Sequence, residues 1–201
     1  MKVIGITGGV GCGKSEVLSY IATHYKCKVY LADKVAAQLQ RKGNKCYERL
    51  VALLGEGILG ADGEIDRPAM AKIIFADDEL LQEVNRIVHP LVYDFILDEI
   101  TTERKKGELE LFFIEAALLI EAGYKTVVDE MWYIYSTQEV RRQRLVKSRG
   151  YSQEKITDIM ESQLSEEEFR KNCDFVIDNS GSLEVTHQTI RRRLEEFTWV
   201  Q

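Results

Sequence analysis

The feature that most constrains this chain is Gly8-Gly9-Val10-Gly11-Cys12-Gly13-Lys14-Ser15, which fits G-x-x-x-x-G-K-[ST], the phosphate-binding P-loop. Before it, Val3-Ile4-Gly5-Ile6-Thr7 is a short apolar run with β-branched residues, as a buried strand requires. After it, Val17, Leu18 and Ile21 fall on one face of a helix. Strand, glycine turn and helix in that order are the context the motif demands. Glycine lets the backbone approach an anion closely, and the loop N–H groups join the positive end of the helix in making the anion site. Gly9, Val10, Gly11, Cys12, Gly13, Lys14 and Ser15 are therefore the expected nucleotide-binding residues. Lys14 is expected to reach the β- and γ-phosphates of ATP and Ser15 to ligate Mg²⁺.

A length of 201 residues and an apolar fraction of 45% suit one α/β core with a full hydrophobic interior and room for an insertion. The net charge is −6, and the densest basic cluster, Arg191-Arg192-Arg193, reads as a solvated helix face rather than a nucleic-acid site. Cys12, Cys27, Cys46 and Cys173 form no C-x-x-C pair and have no metal-ligand spacing. Met1-Lys2 leads straight into the first strand, and no apolar stretch is long enough to span a bilayer, so a reduced, cytoplasmic protein without membrane or nucleic-acid partners is expected. Within the loop, Cys12 reads as a small filler, although Lys14 and a helix N-terminus are features that activate thiols.

Further strands are expected at Lys28–Leu31, Leu109–Glu115, Met131–Tyr135 and Cys173–Asp178. Alternation with helices gives a parallel five-stranded sheet with helices on both faces. Asp33 follows the second strand, at the sheet edge where ligands collect; taken alone, it reads as a helix cap. Residues 34–106 are almost wholly helical, too long for a plain crossover, and are expected to form an inserted helical domain. Within it Arg67-Pro68 opens a helix, and His89 before Pro90 reads alone as a buried histidine at a helix break. Glu115 ends the third strand, where P-loop proteins carry an acidic residue that helps hold Mg²⁺. Residues 139–172, rich in arginine, are expected to form a helical lid, leaving 1–33, 107–138 and 173–201 as the nucleotide-binding core.

The loop alone does not choose the reaction. A guanine-reading N-K-x-D is missing, since Asn44-Lys45-Cys46-Tyr47 lacks the aspartate, and a mechanical ATPase needs a larger core. A small-molecule kinase remains, with an insert for its acceptor and a basic flap that excludes water. A nucleotide-dependent binding switch on the same core is the alternative from another class.

The chain resembles the dephospho-coenzyme A kinase family over nearly its whole length. The resemblance rests on Ile6-Thr7-Gly8-Gly9 running into the loop, Ala32-Asp33, Asp62-Gly63-Glu64-Ile65-Asp66-Arg67, Ile74-Phe75, His89-Pro90, Leu118-Leu119-Ile120-Glu121, Gln163 and Ile177-Asp178-Asn179-Ser180-Gly181 in that order. It implies transfer of phosphate from ATP to the ribose 3′-hydroxyl of dephospho-coenzyme A, the last step of coenzyme A synthesis. It also implies that Asp33 orients or deprotonates the acceptor hydroxyl and that Arg67, His89 and Leu118 contact the acceptor. By the same resemblance Arg144 neutralises charge on the transferring group, and Asn179 lies near the adenine. A monomer is expected, with weak association left open. The chain departs from the family at Leu31, where an aspartate is frequent, at Ala117, where a proline is usual, and at Ser148, where a second flap arginine is usual and Arg149 stands one place late.

Overall fold

The computed structural model describes residues 1–198, so residues 199–201 of the expected core segment lie outside the described residues. The chain divides into two compact units, one made of Met1–Val29 with the chain from Gly107 onward, the other of Tyr30–Lys106.

In the first unit the apolar runs become the central strands. β1 (Lys2–Thr7), β3 (Leu111–Glu115), β4 (Glu130–Tyr135) and β5 (Phe175–Asp178) join β2 (Cys27–Leu31) in one sheet of order β2-β3-β1-β4-β5. The β1–β3, β1–β4 and β4–β5 pairs are parallel. Strands covered on both faces need unbroken apolar runs, and Val3, Ile4, Ile6, Phe112, Phe113, Ile114, Met131, Trp132 and Ile134 are all buried. Gly5 interrupts β1 because a Cβ there meets Leu119 Cδ2 at 2.6 Å. The third and fifth strands start two residues later than the sequence predicts. Asp174 explains the second offset: its N–H donates to Met131 O at 2.8 Å and its carboxylate accepts from Met131 N at 2.8 Å, ahead of the ladder. Asp129 does the same to Val3, at 2.7 Å in each direction.

Helix α1 (Lys14–His24) follows the loop, and α6 (Gln138–Arg149), α7 (Gln153–Glu161), α8 (Glu166–Asn172) and α9 (Leu183–Thr198) complete the unit. Thr137, Ser152 and Ser165 cap α6, α7 and α8, with Ser165 and Glu168 forming a reciprocal capping box. Gly150, at φ 63°, ends α6 in the left-handed conformation that glycine tolerates.

The second unit is built on α5 (Asp78–Lys106), whose Val84, Val88, Val92, Ile96 and Ile100 form a buried stripe at four-residue spacing. Helices α2 (Ala32–Leu39), α3 (Lys45–Leu54) and α4 (Arg67–Ile74) pack against it. Tyr30 donates to Glu99 and meets the Phe95 ring edge-on. Pro90 does not break α5, correcting the helix-break reading. Arg86, His89 and Pro90 are exposed, so the carbonyl that the proline leaves without a donor lies on the solvated side.

Candidate active site

The loop starts where β1 ends, and β1 has β3 on one side and β4 on the other, the topological switch point at which open parallel sheets bind ligands. Ile6 pairs with Glu115, so the carboxylate at the end of β3 stands beside the strand that launches the loop. Lys14 Nζ reaches back to donate to Gly8 O at 2.7 Å and lies 3.6 Å from Glu115 Oε1, with both side chains 15% exposed. Ser15 is exposed in the first turn of α1.

Two glycines are required by space as well as by φ. At Gly8 a Cβ lies 2.5 Å from Ile134 O, and Gly13, at φ 91°, faces the Asn179 amide, which occupies the place of a Cβ. The cradle is therefore bare backbone. Among the described residues no group of three or more His, Cys, Asp and Glu side chains stands ready to hold a metal by itself. One hydroxyl and one carboxylate fit Mg²⁺ instead, which keeps waters and shares its shell with substrate phosphates.

Around the loop lies a layer of side chains. Cys12 O accepts from Ser136 Oγ at 3.1 Å, Arg144 Nη1 at 3.2 Å and Asn179 Nδ2 at 2.9 Å. Arg144 also donates to Ser136 Oγ at 3.0 Å and to Asn179 O at 2.8 Å. Asn179 is 1% exposed, its N–H donates to Tyr135 O at 2.8 Å, and its Oδ1 accepts from Thr186 Oγ1 at 3.0 Å. Asn179, expected near the adenine, also ties the phosphate loop down with its side chain. Arg141 Nε donates to Val10 O at 2.8 Å, and Gln163 Oε1 accepts from both Arg141 Nη2 at 2.8 Å and Val10 N at 3.0 Å. The other arginines of α6 turn elsewhere: Arg142 to Gln153 and Thr157, Arg149 to the Tyr151 ring. Ser148 Oγ donates back to Arg144 O at 2.6 Å.

Cys12 is 1% exposed, and burial pushes its thiol up despite the lowering influence of Lys14, which supports the filler reading. Burial, with Glu166 adding to it, pushes the Tyr133 phenol up to about 12.

The structure thus brings Gly9, Val10, Gly11, Cys12, Gly13, Lys14, Ser15, Glu115, Arg144 and Asn179 together in the first unit. Leu118 belongs to that unit too, in the turn after β3, and is 48% exposed. Asp33, Arg67 and His89 belong to the second. Asp33 is exposed at the second position of α2, whose N-cap is Leu31, so it is not the helix cap its position suggested. Arg67 is exposed at the first position of α4, behind Asp66, which caps it through Ala69 N at 3.0 Å. His89 is exposed, not buried. Sequence reasoning passed over Ser136 and Thr186, and gave Arg141 no definite role. The available signal was the spacing of Arg141, Arg144 and Leu145, which share the helix face turned to the loop glycines, Arg141 and Leu145 at Gly11 and Arg144 at Gly13.

Comparison with known proteins covers the same ground from outside. The sequence pattern of the dephospho-CoA kinase family (CoaE) matches residues 2–184. The dephospho-CoA kinase of Aquifex aeolicus is 39% identical over 198 residues, covering 98% of either chain. A crystal structure from Thermus thermophilus superposes with a TM-score of 0.80 at 32% identity, covering 97% of each chain. The dephospho-CoA kinase structure from Campylobacter jejuni gives 0.72 at 25% identity, covering 98% of this chain and 97% of that one. This chain therefore belongs to the dephospho-CoA kinase family, transferases that use ATP to phosphorylate dephospho-CoA in the last step of coenzyme A biosynthesis.

Proposed function

We propose that the chain transfers the γ-phosphoryl group of Mg-ATP to the ribose 3′-hydroxyl of dephospho-coenzyme A. The observation that carries this reading is Lys14 held between Gly8 O and Glu115 at the mouth of a loop whose glycines leave bare amides for phosphate. The bond from γ-phosphorus to the bridging oxygen of ADP breaks as the bond to the acceptor oxygen forms. Most of the work in such a transfer is positioning and charge neutralisation.

In this account the amides of Gly9, Gly11 and Gly13, with Lys14, hold the phosphates, while Val10 and Cys12 shape the loop around them, their own N–H groups donating to Gln163 Oε1 at 3.0 Å and Gly9 O at 3.2 Å. Ser15 and Glu115 would hold Mg²⁺, which neutralises charge on the phosphate oxygens when bound. Asp33 orients the acceptor hydroxyl and receives its proton; its carboxylate has no hydrogen bond or ion pair among the described residues and is free for that role. Arg67, His89 and Leu118, all exposed, contact the acceptor. Arg144 adds positive potential at the loop, and Asn179 keeps Cys12 in register. Residues 34–106 serve the acceptor and 139–172 close over the phosphates, the remainder forming the nucleotide-binding core. The protein works as a cytoplasmic monomer; among the described residues no helix is long and apolar enough to cross a membrane.

The test is ADP release from Mg-ATP with dephospho-coenzyme A, adenosine, AMP or cytidine as acceptor. Release that depends on dephospho-coenzyme A supports the reading, and equal release with a nucleoside overturns it.

A further inference from the structure

We infer that Arg141 is a catalytic residue of this transfer, delivering its charge to the γ-phosphoryl group, and that Gln163 is the residue that positions it. The inference rests on the loop being the ATP phosphate site.

Three consecutive residues locate the guanidinium. Lys14 Nζ, which in P-loops reaches the β- and γ-phosphates, is held at Gly8 O, 2.7 Å away. A Cβ placed on Gly9 collides with the Arg141 guanidinium, so that group lies flat against the loop's next residue. Val10 is gripped on both sides of its α-carbon, its carbonyl by Arg141 Nε at 2.8 Å and its N–H by Gln163 Oε1 at 3.0 Å. Arg141 therefore sits at the γ end of the loop.

The orientation is fixed as well. Both groups facing the Gln163 amide, Val10 N–H and Arg141 Nη2–H, are donors, so the atom turned to them is the oxygen. One oxygen accepting both closes a ring of Val10, Arg141 and Gln163. Of the five guanidinium N–H donors in arginine, two are engaged in this ring. The rest have no partner, and no carboxylate pairs with Arg141, among the described residues. The side chain borders a cavity of about 350 Å³ lined also by Tyr133, Tyr135, Ser136 and Glu166. Of the three glutamates that also line it, Glu166 pairs with Arg170 at 2.8 Å, Glu168 accepts from Ser165 N at 2.9 Å in the capping box, and Glu161 makes no ion pair with Arg141 among the described residues. An arginine held rigidly, unpaired and with free donors beside open space is arranged for phosphate oxygens. Arg144 differs, since both its terminal nitrogens are engaged with Cys12, Ser136 and Asn179.

Arg141 gives and takes no proton. It neutralises charge on the γ-phosphoryl oxygens while the bond to ADP breaks and the bond to the acceptor forms, which needs no further reactant.

The test compares wild type, Arg141→Gln, Gln163→Ala and the double variant in the full chain. Binding of ADP and of a non-hydrolysable ATP analogue is read by calorimetry and transfer by steady-state kinetics. ADP lacks the γ-phosphate and reports whether the loop is intact. Arg141→Gln is expected to leave ADP affinity within about threefold, weaken the ATP analogue about tenfold and lower kcat about a hundredfold or more. Gln163→Ala is expected to lower kcat about tenfold in wild type and much less than that beside Arg141→Gln, where only its bond to Val10 N is left to lose. Equal loss of ADP and ATP-analogue affinity would make Arg141 a loop staple and overturn the inference, as would an unchanged kcat. Additive losses in the double variant would overturn the role of Gln163. If wild type fails to phosphorylate dephospho-coenzyme A yet prefers the ATP analogue in an Arg141-dependent way, the acceptor reading fails and the γ-phosphoryl contact stands.

Discussion

Lys14 Nζ lies 3.6 Å from Glu115 Oε1, with both side chains 15% exposed. The β1–β3 register creates this pair, because it sets Ile6 opposite Glu115 two residues before the loop begins at Gly8. The ammonium thus lies between the first carbonyl of the loop and the carboxylate that ends β3.

Lys14→Ala is expected to lower kcat about 10²–10³-fold while the far-ultraviolet circular dichroism spectrum stays that of wild type. Glu115→Gln keeps the shape and removes the charge, so a higher Mg²⁺ concentration for half-maximal rate is expected. An unchanged Mg²⁺ requirement would remove Glu115 from the metal role.

Asp33→Asn separates chemistry from architecture. A lost N-cap costs about 1 kcal/mol, yet the N-cap of α2 is Leu31, so the melting temperature is expected to hold. The value of kcat is expected to fall by about two orders of magnitude or more with ATP affinity unchanged. A lower melting temperature with unchanged kcat would return Asp33 to a structural part.

Asp129 and Asp174 test the frame behind the site. Each carboxylate accepts the first free amide of the neighbouring strand, Val3 N at 2.7 Å and Met131 N at 2.8 Å. Asp129→Ala and Asp174→Ala leave those amides unpaired and are expected to cost about 1–3 kcal/mol each in urea unfolding. The asparagine variants keep an acceptor and are expected to lose less.

Burial raises all four thiols above the ordinary cysteine value, Cys173 to about 12. Such groups hold their protons longer in the folded chain than in the unfolded one. They contribute stability that is complete below the ordinary thiol value and is lost as pH rises through the raised values. Stability is therefore expected to fall above pH ~9, and native Cys12 to resist alkylation at pH ~8. Rapid labelling of Cys12 at that pH would contradict its burial.

What the sequence made legible was local. Strand, loop and first helix follow one another in the chain, and each carries its own pattern, so Val3–Thr7, the glycines and Lys14 were readable from spacing alone. The helical character of residues 34–106 was readable in the same way, though the buried stripe of α5 was not singled out. Pro90 misled because its cost, a lost hydrogen bond and a ring clash, falls on the exposed side of a helix whose other side is held by the buried stripe from Val84 to Ile100. The layer around the loop was hidden by distance along the chain: Val10 meets Gln163 across 153 residues, and Cys12 meets Asn179 across 167. Asn179 was readable as a turn-former after a strand, but not as a donor to the loop, because that role depends on β5 lying next to β4.

The most direct measurement follows ADP and product together in one reaction of Mg-ATP and dephospho-coenzyme A, with the phosphorylated position read by phosphorus NMR. One coenzyme A bearing a ribose 3′-phosphate for each ADP formed is the predicted result. ADP formed at the same rate without acceptor, or phosphate found at another position, would contradict the account.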